Sequence, residues 1–143
     1  RPLLARSAKA MNCVFADTWF YLAILNPRDP NHPRALSVTC NERRHRVTTD
    51  WVLVEVGDAL CQAGNRDVFS RFHGWIQQHS GTTIVPASRR LLEEGIHLYS
   101  YRRDKDWPLT DCISFVVMED ENIREALTGD RHFEQAGFVA LLK

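Results

Sequence analysis

The stretch Asn12-Cys13-Val14-Phe15-Ala16-Asp17-Thr18-Trp19-Phe20-Tyr21-Leu22-Ala23-Ile24-Leu25-Asn26-Pro27 reads as a strand, an acid and a helix with nothing between them. Residues 12–16 form a short apolar run of the kind a buried strand carries. Asp17 closes the run. Thr18 is placed to cap a helix over residues 19–25, which Asn26-Pro27 stops because the residue before a proline is pushed out of helical backbone.

The same alternation continues outward from this unit. Residues 29–33 carry turn chemistry, and residues 34–44 look helical, ending in Arg43, Arg44 and His45. A strand follows at 46–48. Thr49 or Asp50 can cap the next helix, with Trp51, Leu53, Val54, Ala59 and Leu60 as its apolar positions and Glu55 in their midst. Ala63-Gly64-Asn65 separates it from a helix whose Val68, Phe69, Phe72 and Ile76 recur at helical spacing. A strand at 82–85 is stopped by Pro86, and Ser88 can cap a helix reaching 101. After a charged loop, 102–108, a helix spans 109–119. Strand 126–128, a helical turn at 131–135 and a strand at 139–142 complete the chain. Strands alternating with helices predict an α/β fold, a three-layer sandwich with a mostly parallel sheet.

With 143 residues, 44% of them hydrophobic, and no linker or repeat, the chain suits one domain over residues 11–143. Residues 1–10 precede Met11 and read as an upstream extension or a remnant of cloning. Lysine plus arginine equals aspartate plus glutamate at 18 each, so any polyanion must be held by a local patch. Cys13, Cys40, Cys61 and Cys112 are widely spaced, three of them in apolar segments, and read as reduced core residues. That favours a cytoplasmic setting. None of the histidines forms a zinc-like spacing with a cysteine. No stretch has the length of a membrane span, and the first ten residues lack a signal-peptide core.

Four acids interrupt or close apolar runs: Asp17, Glu55, Asp111 and Asp130. A carboxylate beside buried apolar surface loses hydration, at a cost of several kcal/mol in order of magnitude unless it is compensated. In a parallel α/β sheet, ligands bind beyond the carboxyl ends of the strands. Asp17 and Asp130 lie at such ends, Asp111 lies in a helix's first turn, and Glu55 lies about one turn into another helix. All four can face one pocket. Without a matching buried cation, such a pocket suits a hard ion that takes oxygen ligands.

Each acid also has a purely structural reading. Asp17 or Asp130 alone would commonly cap the next helix, and Asp111 alone is an ordinary first-turn acid. Glu55 has no capping role. Together the four suit phosphodiester hydrolysis, in which a divalent ion polarises the phosphoryl oxygen and activates water.

The segments Val14-Phe15-Ala16-Asp17-Thr18, Thr48-Thr49 with Glu55 following, Leu109-Thr110-Asp111-Cys112-Ile113-Ser114-Phe115 and Leu127-Thr128-Gly129-Asp130-Arg131-His132-Phe133 resemble, in order, the motifs of PIN-domain ribonucleases. The VapC-like toxins of toxin–antitoxin pairs are the most similar subgroup, and the resemblance runs from about residue 12 to residue 142. It implies a five-stranded parallel sheet and a magnesium- or manganese-dependent endoribonuclease, a hydrolase, usually dimeric and held inactive by a small antitoxin. It also implies that Asp17, Glu55, Asp111 and Asp130 are the catalytic, metal-binding quartet, with Thr18 and Thr110 as orienting hydroxyls. Two positions depart from the pattern: Trp19 is bulkier than usual, and Pro108 stands where a small hydroxyl is common.

Arg102, Arg103 and Lys105, with Arg89, Arg90, Arg131 and His132, could pair with RNA phosphates, and Trp107 could stack on a base. A solvated charged loop with one packed tryptophan is the structural alternative, and His132 suits a proton donor or a helix-packing residue equally. A receiver-type phosphoacceptor would need an acid pair early in the chain, and a dehalogenase-type phosphatase an acid where Trp19 stands. The remaining alternative is a PIN-like module that binds RNA or protein without cutting.

Overall fold

The computed structural model describes residues 13–143, so the expectations for residues 1–12, including the start of the first strand at Asn12, lie outside the described residues. Five strands are present: β1 Cys13–Ala16, β2 His45–Thr49, β3 Thr82–Val85, β4 Glu125–Leu127 and β5 Val139–Ala140. They form one sheet in the order β3-β2-β1-β4-β5, and every pairing is parallel. Parallel neighbours need crossover connections, and helices supply them.

Seven α-helices occur among the described residues: α1 Thr18–Leu25, α2 His32–Asn41, α3 Asp50–Ala59, α4 Arg66–Gln78, α5 Arg89–Tyr101, α6 Leu109–Asp120 and α7 Arg131–Gln135. Contacts run from α1 to α2 and α3 and from α3 to α4, while α5 and α7 both pack on α6. The sheet lies between these two helical groups, which gives the three layers read from the sequence. Burial follows position in the sheet: central β1 is buried at all four residues, whereas edge strand β5 exposes Val139.

Local chemistry explains where the observed boundaries differ from those expected. Helix α2 begins two residues early because Pro33 is accommodated in its first turn, where no amide donor is needed. It ends at Asn41, since Glu42 turns extended and accepts two side-chain bonds from Arg44, both at 2.8 Å. The last strand is shorter than read, because Leu142 bonds back to the Thr128 carbonyl at 3.0 Å instead of continuing the ladder. Thr49 and Ser88 cap α3 and α5 as expected, accepting from Val52 and Leu91. Thr18 does not cap α1; Asp17 holds that position.

None of the four cysteines is in a disulfide, and only Cys13 and Cys112 are buried; Cys40 and Cys61 are exposed rather than core residues. Helices α5 and α6 approach closely at Gly95, where an added Cβ would stand 2.4 Å from Cγ1 of buried Ile113. Ile113 lies on the helix that carries Asp111 in its first turn. No helix among the described residues is long and apolar enough to cross a membrane.

Candidate metal centre

The chain leaves β1 for β2 on one side and returns to β1's other side as β4, so the strand order switches beside the end of β1. Parallel sheets open a crevice at such a switch. Asp17 follows β1, Thr128 follows β4, and the backbone joins them, with the Asp17 amide donating to the Leu127 carbonyl at 3.4 Å. The end of β1 is further tied to β2 by Thr48, whose buried hydroxyl donates to the Ala16 carbonyl at 2.8 Å.

Asp17 is 3% exposed, and its side chain makes no capping bond to α1. The Thr128 hydroxyl donates to its Oδ2 at 2.9 Å, while Oδ1 is buried without a partner. Asp17 thus occupies the N-cap position of α1 without using its carboxylate as a capping acceptor. The capping reading holds for Asp130, whose Oδ1 accepts from the His132 amide at 2.9 Å at the start of α7. The Thr128 hydroxyl also accepts from the Asp130 amide at 3.1 Å, so one threonine holds both strand-end aspartates.

Asp111 comes from the first turn of α6 and is buried. Its Oδ2 lies 3.0 Å from His132 Nδ1, which is also 3.4 Å from Asp130 Oδ1. One ligand atom from each of Asp111, Asp130 and His132 fits within a sphere of mutual distances under 4.8 Å, the spacing a bound ion could bridge. Glu55 reaches in from α3, half-buried, and accepts a 2.5 Å bond from the Thr18 hydroxyl. The Thr110 hydroxyl makes no side-chain hydrogen bond among the described residues.

Electrostatics bind these acids into one unit. Burial first, and the neighbouring Asp111 charge second, push the Asp17 carboxyl up from 3.8 to about 7. Asp111 is likewise pushed from 3.8 to about 7, by burial and then by Asp130 and Glu55. No lysine or arginine among the described residues bonds to the four acids; the nearest potential cation is His132. Buried arginine does occur at Arg46, but its guanidinium lies 5.2 Å over the Phe20 ring. The partnerless Asp17 oxygen and the uncompensated acids fit a hard divalent ion.

Trp19 covers the turn between Thr128 and Asp130, since a Cβ on Gly129 would meet its ring at 2.5 Å. Sequence reasoning flagged the bulk of Trp19 but missed its seat. It also missed Thr128, whose hydroxyl donates to Asp17 and accepts from the Asp130 amide; a hydroxyl two residues before a strand-end acid is the only sequence signal for it.

The expected RNA contacts divide. Helices α5 and α6 run antiparallel, so the loop after α5 lies at the Asp111 end of α6 and carries Arg102, Arg103 and Lys105 there. Arg102 pairs with Asp104 at 3.0 Å, and Lys105 approaches the same acid at 3.7 Å. Arg103 and Arg131 are exposed. Arg90 instead pairs with Glu94 and with Asp120 at the far end of α6, roughly 14 Å along the helix from Asp111. Arg89 precedes it on that end. Trp107 is 5% exposed, donates to Gln135 at 2.9 Å and packs edge-on against Phe115, so it is a core residue rather than a base platform.

No family model matches the sequence, and neither does any curated protein. Among solved structures, the crystal structure of VapC20 from Mycobacterium tuberculosis, a toxin that cleaves the sarcin-ricin loop, superposes with a TM-score of 0.83. The match covers 90% of this chain and 98% of that one at 23% sequence identity. At that identity the likeness shows the fold, and the fold is the one expected of a VapC-like PIN domain.

Proposed function

We propose that the chain is a metal-dependent endoribonuclease, the toxin of a toxin–antitoxin pair, with magnesium or manganese at the acid cluster. The observation that carries this reading is Asp17: one oxygen is pinned by Thr128, and the other is buried, partnerless and surrounded by acids. A non-catalytic binding module leaves that oxygen unexplained.

Asp17, Asp111 and Asp130 offer the ligand oxygens, with Glu55 as the fourth acid. A divalent ion bound among them supplies a Lewis acid that polarises the scissile phosphate and makes water a better nucleophile. Thr128 and Thr18 hold Asp17 and Glu55 in fixed orientations. His132 shares its Nδ1 with Asp111 and Asp130, which places a proton-bearing group at the edge of the cluster. Arg103 and Arg131, exposed and without ion-pair partners among the described residues, are available to phosphates beside it; Arg102 and Lys105 would first have to leave Asp104.

A hairpin of the sarcin-ricin loop is the first RNA to test, because VapC20 cleaves that element. Cleavage of the labelled hairpin or of total bacterial RNA should vanish in EDTA and return with magnesium or manganese. Metal-independent cleavage, or none with any divalent ion, would overturn the reading. The partners proposed with it are a second copy of the chain, tested by light scattering, and an antitoxin that presents a basic side chain to the acids.

A further inference from the structure

Helix α1 begins at the acid cluster: Asp17 holds its N-cap position, Thr18 opens its first turn and bonds to Glu55, and Trp19 follows. Side chains on a helix lean toward its N-terminus, so the Trp19 indole leans back toward Asp17. A Cβ built on Gly129 would stand 2.5 Å from Cζ2, 2.8 Å from Cε2 and 3.0 Å from Cη2 of that indole. Three consecutive ring atoms at nearly one distance place Gly129 under the face of the ring; an approach through the ring plane would bring Cζ2 well ahead of its two neighbours. The indole therefore lies flat on the turn that leads into Asp130, and only glycine leaves room for it there.

Trp19 differs from the other rings beside the acids. Phe15, Phe20 and Phe133 are fully enclosed and serve the core, whereas Trp19 is only partly buried. Its indole N–H donates to no acceptor among the described residues and is not shut off from water. A large flat side chain with one face seated on backbone and part of its surface open is held in a fixed plane, so little freedom is left to lose when a second flat group packs on it. Trp107, the ring the sequence offered as a base platform, is bonded to Gln135 in the core. Arg103 and Arg131 can meet phosphates at this end of the molecule, but they leave the bases of a bound strand without an aromatic partner.

We infer that Trp19 is the base platform of the site: a nucleobase next to the scissile phosphate stacks on the indole, whose other face rests on Gly129, while the phosphate sits at the acids. This deepens the nuclease reading and rests on it. Every base has a π-face, so the platform adds affinity without reading a sequence. It does select a conformation. A base can lie on a side chain only after it has left its neighbours in the strand, so the substrate class is RNA whose cleaved nucleotide is unpaired and splayed out, as in a loop or bulge, and a continuous duplex is excluded.

The probes are a labelled six-nucleotide oligoadenylate and a ribose phosphate oligomer of the same length and charge that lacks bases. Each is titrated into the full chain by fluorescence anisotropy, with calcium, which takes the same oxygen ligands, in place of magnesium. The parent should bind the oligoadenylate about tenfold more tightly than the baseless oligomer. Trp19→Leu should bring the two within about twofold by weakening the oligoadenylate alone, and Trp19→Phe should keep a several-fold preference, since a smaller ring still stacks. A tryptophan with a merely structural role would weaken both oligomers together and leave their ratio unchanged. The Trp19 indole N–H resonance, assigned by its loss in Trp19→Phe, should move with the oligoadenylate and not with the baseless oligomer; this carries the test should Trp19→Leu fail to fold. An unchanged ratio in Trp19→Leu, binding of neither oligomer to the parent, or equal movement of the indole with both would overturn the inference. Metal-dependent cleavage together with an unchanged ratio defeats the platform alone, whereas a base preference that depends on Trp19 in a chain that cleaves no RNA with any divalent ion defeats the nuclease reading and leaves the platform standing.

Discussion

The Thr128 hydroxyl, at the end of β4, donates a 2.9 Å bond to Asp17 at the end of β1, from 111 residues away in the chain. That bond fixes the plane of the Asp17 carboxylate and leaves its second oxygen buried and bare. Strand pairing between β1 and β4 sets the approach, since Ala16 lies beside Leu127 in the register. The switch point of the sheet thus builds the site directly, through backbone before side chains.

Replacing Asp17 or Asp111 by asparagine should abolish metal-dependent cleavage. It should leave the metal-free protein no less stable, and up to about 2 kcal/mol more stable, because a buried charge crowded by like charge is removed. Urea unfolding in EDTA, together with a cleavage assay, checks both halves. If both variants unfold well below the parent, the acids are structural and the metal reading loses its physical support.

The same acids give metal-free stability a particular pH dependence. Both Asp17 and Asp111 have folded-state values near 7 against 3.8 for the unfolded chain, so the native state binds more protons between those limits. Stability is therefore fullest below about pH 4 for these groups and is lost as pH rises toward 7. Asp104 and Glu42, held low by arginines, act in the opposite sense but in the more acidic range. Denaturation curves at pH 5, 6, 7 and 8 in EDTA should show the fall. Saturating magnesium should flatten it, since an ion that binds only the native state favours the ionised acids.

Thr128→Val removes the donor to Asp17 and the acceptor of the Asp130 amide in one step. Metal affinity should drop by about 10- to 100-fold, the usual effect of losing a group that orients a ligand. Stability should fall by about 1–2 kcal/mol, because the Asp130 amide loses its partner. Thr18→Val, which frees only Glu55, should weaken metal binding less. Calorimetric titration with manganese orders the two variants, and equal affinities would remove Thr128 from its orienting role.

The fold was legible because apolar runs, caps and breakers agreed along the chain, with Thr49, Ser88 and Pro86 marking boundaries that the structure keeps. Pro33 misled, since a proline that breaks a helix in its middle is at ease in its first turn. The four acids stood out because each interrupts apolar sequence. Thr128 did not, since a threonine at a strand end is chemically unremarkable until β4 is paired with β1. Trp107 stood between two readings, a base platform and a packed ring, and only Phe115 and Gln135, distant in sequence, decide for the packed one. Arg46, in a strand beside polar threonines, gave no sign of its burial under α1.

The last expectation concerns the seat of α6 rather than the acids themselves. A methyl group at Gly95 would stand 2.4 Å from Ile113 Cγ1 and 3.4 Å from its Cα, and Ile113 is fully enclosed, so α5 and α6 must separate to admit it. Gly95→Ala should therefore destabilise by about 1–3 kcal/mol, the usual cost of overpacking, despite the better helix propensity of alanine. Gly74 in α4 is the control: nothing lies within 4 Å of its added Cβ, so Gly74→Ala should stabilise by up to about 1 kcal/mol. Because Ile113 is two residues beyond Asp111 on the same helix, moving α6 also displaces Asp111 from His132, and metal affinity should fall with stability in the Gly95 variant alone. Ile113→Ala removes the clashing atom, so the double variant should be more stable than the sum of the two single changes by about 1 kcal/mol or more. Strict additivity in that cycle would show that the two helices accommodate the methyl group elsewhere, and that α6 does not take its position from Gly95.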